Sequence, residues 1–139
     1  MVTAVADAEL GTERIEAGLV YRYVHNCGIS TASVGKGMSR PLSAIAGIYS
    51  ASVSGASGDV CLGFVKHADI PAAEYGWVVK RGNVSVDAGA GASFAAGPNP
   101  KSLGALGLVA TASAGYAIVG ETMSAVASGG SCLLFVNVI

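Results

Sequence analysis

The stretch from Tyr75 to Asp87, Tyr-Gly-Trp-Val-Val-Lys-Arg-Gly-Asn-Val-Ser-Val-Asp, constrains the fold more than any other part of the chain. Before Gly82, the residues Tyr75, Trp77, Val79 and Arg81 share one side, with Gly76, Val78 and Lys80 on the other. After it, Val84 and Val86 alternate with Asn83, Ser85 and Asp87. A period of two in β-branched and aromatic residues marks a half-buried strand. The pattern predicts two short strands turning at Gly82-Asn83. Trp77 is the single tryptophan of the chain, and a large ring on a strand anchors the core around it.

Other segments carry the same signal more weakly. Leu19–His25 alternates, with Leu19, Tyr21, Tyr23 and His25 on one side, and Asn26-Cys27-Gly28 ends it with a turn. Further strands are predicted at Ala44–Ser50, Val60–Lys66, Tyr116–Glu121 and Cys132–Ile139. The last is apolar on both faces apart from Asn137, the pattern of a strand buried on both sides. Ser54–Gly58 reads as a loop, and so does Ala88–Pro100, closed by a corner at Pro98-Asn99-Pro100. Leu103–Thr111 reads as irregular with a short strand, because Gly104 and Gly107 oppose a helix.

Residues 1–18 show no strand period, and Gly11 interrupts any helix. They are expected to form an N-terminal arm, frayed or ordered only against a partner. A single β domain is expected over residues 19–139. Glycine supplies 20 of 139 residues, about twice its usual share of about 7%, which implies many tight turns. The expected fold is all-β: a small β-sandwich or partly closed barrel of about seven short strands, with Gly-rich loops and an N-terminal arm.

Charge excludes several functions. Lys and Arg are spread singly apart from Lys80-Arg81, and the formal net charge is −1. No nucleic acid is expected as a partner, since that binding rests on clustered positive charge. No apolar run approaches the ~18 residues of a membrane span, so no membrane partner is expected. The first ten residues lack a basic region ahead of an apolar core, so synthesis in the cytosol is expected. Cys27, Cys61 and Cys132 are odd in number and widely spaced. They read as buried small hydrophobes in a reducing compartment.

The motifs that resemble chemistry are weak. Gly35-Lys36-Gly37 is not followed by Ser or Thr and so is not a phosphate loop. Gly89-Ala-Gly91 lacks the third glycine of a dinucleotide site. His67 lies near Cys61 and Asp69 in sequence, but nothing around Cys61 resembles an activating environment, and the core-cysteine reading is preferred. His25 and His67 have no zinc-ligand spacing. Glu74, Asp87 and Glu121 read as solvated charges at loop ends. Asn83-Val84-Ser85 matches the glycosylation sequon, which has no consequence without secretion. No catalytic, cofactor-binding or metal residue is expected, and the chain is not expected to be an enzyme.

The order of elements carries a resemblance. Tyr21-Arg-Tyr-Val24 precedes a Gly-rich stretch and Ala73-Glu-Tyr-Gly-Trp-Val-Val79. Gly104-Ala-Leu-Gly-Leu-Val109 then leads to Ala117-Ile-Val-Gly-Glu121 and Leu133-Leu-Phe-Val136. From about Leu19 to Ile139 the chain resembles the head-decoration (capsid cement) proteins of tailed bacteriophages and related small virion structural proteins. The resemblance implies a β-rich domain bound outside an assembled capsid, a homo-oligomer (trimer or dimer) with the major capsid protein as partner. It also implies a place on the virion surface. On that reading Val2, Val5, Leu10 and Ile15 of the arm contact the capsid by β-addition. Trp77, Phe135 and Ile139 then contact a sister subunit. Other virion parts (knob, neck or tail) and a secreted or surface carbohydrate-binding module with Trp77 and Tyr75 stacked on sugar rings are the alternatives.

Overall fold

The computed structural model describes residues 2, 7–40, 49–53, 60–88, 97–103, 109–111, 118–122 and 130–138. Among them the protein is all-β. The strands are β1 (Glu13–Glu16), β2 (Leu19–Asn26), β3 (Gly37–Arg40), β4 (Ser50–Ala51), β5 (Val60–Val65), β6 (Tyr75–Asp87), β7 (Gly97–Leu103), β8 (Val109–Thr111), β9 (Ile118–Thr122) and β10 (Ser131–Asn137). They run in the order β1-β2-β6-β10-β9-β7-β8, with β5 joining β6, β3 joining β5 and β4 joining β2. Nearly all pairs are antiparallel. The order does not close into a barrel, although a bridge from Ala88 to Val109 brings β8 back to the end of β6.

The sheet is assembled on β6. Its first part pairs with β2, setting Tyr23 opposite Trp77 and His25 opposite Tyr75. Its second part, Arg81 to Asp87, pairs with β10, and β5 joins at Val78 and Val79. The two-strand hairpin expected here is therefore corrected: one strand of 13 residues passes straight through Gly82-Asn83. Gly82 takes φ 124, a region side chains avoid, and a Cβ there would meet the Leu19 side chain. Close by, the register against β2 slips by one residue. Trp77 and Val79 before the slip, and Val84 and Val86 after it, therefore serve the same core. A bulge of this kind shifts the alternation without ending the strand.

Two apolar cores result. The larger gathers Leu19, Tyr21, Phe64, Val79, Val84, Val86, Val109, Val119, Leu134 and Val136, with Trp77 at its margin. The other gathers Val24, Ala32, Met38, Leu62, Val65, Ile70 and Val78, with Val2 and Val53 against it. Adjacent residues of β6, Val78 and Val79, point to different cores, which is why this strand reads as apolar on both sides. Asn26 is fully buried at the end of β2. Its amide donates to the Ser30 and Ile70 carbonyls at 2.9 and 2.8 Å, and its Oδ1 accepts from the Gly28 N–H at 3.0 Å. The turn expected at Asn26-Cys27-Gly28 is thus held by a side chain whose capacity is nearly filled.

Several other expectations are corrected. Residues 13–16 do form a strand, β1, in antiparallel register from Glu13 opposite Arg22 to Glu16 opposite Leu19. The link between them, Ala17-Gly18, has φ 51 and 79, the two positive angles that a tight hairpin turn requires. Pro98-Asn99-Pro100 lies inside β7 rather than at a corner. Its pairing with β9 is irregular between Gly97 and Pro100, as expected where proline lacks a donor. In β10, Cys132, Leu134 and Val136 are buried while Ser131, Leu133 and Asn137 are exposed, so this strand is buried on one face only. Cys61 and Cys132 are buried but Cys27 is exposed. Of the strand expected at Ala44–Ser50, only Tyr49 and Ser50 fall within the described residues, Ser50 in β4.

Candidate functional site

The register of β2 against β6 builds an aromatic face. Tyr23 and Trp77 are directly opposite, their rings 5.0 Å apart, and Tyr75 lies 6.2 Å from Tyr23 and 4.5 Å from His25. Cross-strand aromatic pairs of this kind contribute about 0.5–1.5 kcal/mol beyond their buried area. Tyr23 is fully buried, and its hydroxyl accepts from the Asp7 N–H at 3.2 Å. Gly11 and Thr12 exchange backbone hydrogen bonds with Tyr23 at 2.9 Å each. The polar N-terminal segment is thereby fastened to β2 ahead of β1.

Arg14 of β1 closes one end of this face. Its guanidinium carbon lies 4.3 Å from the centre of the Trp77 ring and 5.1 Å from that of Tyr21. Val2, Arg14, His67, Ala68 and Trp77 enclose a small hollow of about 50 Å³. The Tyr21 hydroxyl and His67 Nε2 share a hydrogen bond at 2.6 Å. Burial, followed by the negative charge of Glu16, raises the Tyr21 pKa above its usual value. His67 is therefore engaged with a phenol. Cys61 lies fully buried, and burial pushes its thiol up to about 12. An activated nucleophile requires the opposite shift.

The other face of β1 carries charge. Glu13 Oε2 accepts from Lys80 Nζ at 2.7 Å and lies 3.9 Å from Arg22 Nη2. The Lys80 hydrogen bond holds the Glu13 carboxyl below its ordinary value of 4.5. Arg22, on the second strand, is buried and donates from Nη1 to the Leu62 carbonyl at 3.3 Å. Asp87, expected as a solvated charge, instead accepts from Lys36 Nζ at 2.7 Å and is half-buried.

The expected contact residues separate into three groups. Val2 and Trp77 meet at the small hollow. Leu10 is half-buried, just ahead of the Gly11 contact with Tyr23, while Ile15 projects from β1 with 80% of its surface exposed. Phe135 lies elsewhere, in β10 between Asn83 of β6 and Glu121 of β9, and is half-buried. Val5 and Ile139 lie outside the described residues. The sequence reading missed Ile29, fully exposed in the segment after β2, and the partnership of Arg14 with Trp77. An isolated Ile after a turn signal was the available clue to the first. Nothing local announces the second.

Among the described residues, no cluster of three or more His, Cys, Asp and Glu side chains is placed to hold a metal ion. No helix among the described residues is long and apolar enough to cross a membrane. Comparison with protein-family models finds no match, and comparison with curated proteins finds no significant match.

Proposed function

We propose that this chain is a virion structural protein that binds the outer surface of an assembled phage capsid and stabilises it. It would act as a homo-oligomer, trimer or dimer, beside the major capsid protein. The observation that carries the reading is Ile15, 80% exposed on a strand at the edge of the sheet. An edge strand offers unpaired backbone groups to another chain, and an apolar side chain there adds the specificity that β-addition draws from alternate positions. Several such edges on one oligomer would act together through effective concentration. The resemblance to decoration proteins supports the same role.

The carbohydrate-binding alternative needs a bare indole face, and Arg14 stands over the Trp77 ring at 4.3 Å. The enzyme alternative needs His67 to activate Cys61, and both groups are otherwise committed. Ile15→Asp tests the proposal. Because Ile15 is exposed, the variant should keep its thermal stability to within about 0.5 kcal/mol and lose co-sedimentation with capsids of the phage that carries it. Unimpaired co-sedimentation of a folded Ile15→Asp protein would overturn the edge-strand mechanism. Deleting residues 1–16 is a poorer test, since it removes Glu13 from Lys80 and Arg22.

A further inference from the structure

Behind β1, opposite the aromatic face, lies a cleft of about 460 Å³. Among the described residues its wall carries three cations, Arg22, Arg40 and Lys80, against one carboxylate, Glu13, an excess of two positive charges. Four strands contribute these groups: β1, β2, β3 and β6. The cations are not solvated ornaments. The Arg22 side chain is only 5% exposed and that of Lys80 20%. Arg40 Nε is buried with no hydrogen-bond partner among the described residues.

Native proteins pair nearly all buried donors, because an unmet one keeps the full cost of leaving water. A buried guanidinium nitrogen in a roomy cleft calls for an acceptor brought from outside. Glu13 does not fill that need. Its close contact, at 2.7 Å, is with Lys80. Lys80 retains further N–H donors besides the one given to Glu13. The remaining wall includes Val60, Leu62 and the Tyr49 ring, whose centre is 5.7 Å from the Arg22 guanidinium carbon.

We infer that this cleft binds a small organic dianion, its oxyanion held by Arg22, Arg40 and Lys80 and its apolar body lying against Val60, Leu62 and Tyr49. Paired guanidinium groups favour carboxylate and phosphate oxygens because their N–H groups lie in a fixed planar fork. Two net positive charges match a doubly charged ligand. The volume falls within the range of small-molecule sites, about 300–1,000 Å³. Phosphate monoesters and dicarboxylates share this chemistry. The inference is independent of capsid binding.

Isothermal titration of the full chain with phenyl phosphate and, separately, with glutarate tests it. Matched ionic strength and a pH of about 7.5 keep the phosphate a dianion. At least one probe should bind saturably with Kd below about 1 mM, and the tighter of the two identifies the oxyanion class. Arg40→Gln should weaken that binding about tenfold. Glu13→Gln, which removes the competing carboxylate, should strengthen it about threefold even as it loses the Lys80 pair. Arg81→Gln removes the neighbouring exposed charge outside the cleft and should leave the affinity unchanged. Failure of both probes to saturate would overturn the inference. So would equal loss in Arg40→Gln and Arg81→Gln, or weaker binding in Glu13→Gln.

Discussion

Cys61 and Cys27 stand at opposite ends of thiol reactivity in one small chain. Burial pushes Cys61 up to about 12, and the thiolate is the reactive form, whereas Cys27 is exposed after β2. Alkylation of the native protein with iodoacetamide near neutral pH should therefore label Cys27 alone. Cys61 and Cys132 should react only after denaturation. Prompt labelling of Cys61 in the folded state would contradict its burial in the larger core. Composition made the cysteines look alike, and burial separates them. Arg22 teaches the same lesson: an arginine amid Tyr-Arg-Tyr reads as the polar side of a strand, yet it is buried and donates to the Leu62 carbonyl. The residue pattern records what a side chain prefers, and the partner strand decides what it receives.

At the scale of elements, legibility followed period two. The strands expected near β2, β5, β9 and β10 occur where the apolar runs placed them, because each buries side chains against a core. β1 was illegible because all four of its residues are exposed. Its stability comes from pairing with β2 and from Glu13, neither of which leaves a local signature. Gly82-Asn83 misled for a different reason. Positive φ at glycine serves a turn and a bulge equally, and only the pairing partners distinguish them. Gly82→Val should destabilise the fold by about 2 kcal/mol, since the side chain would need φ 124 and would meet Leu19. Urea unfolding measures it, and a neutral result would mean that β6 does not bend there.

The β1 hairpin also predicts a pH response. Glu13 is held below its unfolded value of 4.5 by its hydrogen bond to Lys80. A carboxyl with a depressed folded pKa binds fewer protons when folded. Its stabilisation is therefore fully present above 4.5 and drains as pH falls through the lower folded value. The effect is small, because the Glu13 side chain is 47% exposed and the pair is screened by solvent. Thermal melts from about pH 6 to about pH 3 should fall less steeply for Glu13→Gln than for the parent chain. Equal slopes would show that the pair contributes nothing.

At the scale of the molecule, the described residues form a sheet organised on one long strand, with two apolar cores and an exposed edge hairpin. All-β architecture was legible in the glycine-rich turns and alternating runs. The cleft was not, since its charged groups are spread from residue 13 to residue 80 and meet only through the strand order. Exposed Ile15 and Ile29 give the molecule apolar points without a covering partner among the described residues. In the role we propose, Ile15 is the point that would meet the capsid. Antibody labelling of purified virions, read by electron microscopy, tests this role most directly. The account predicts label repeating regularly over the whole head. Its absence from mature particles, or its confinement to a single vertex or the tail, would contradict it.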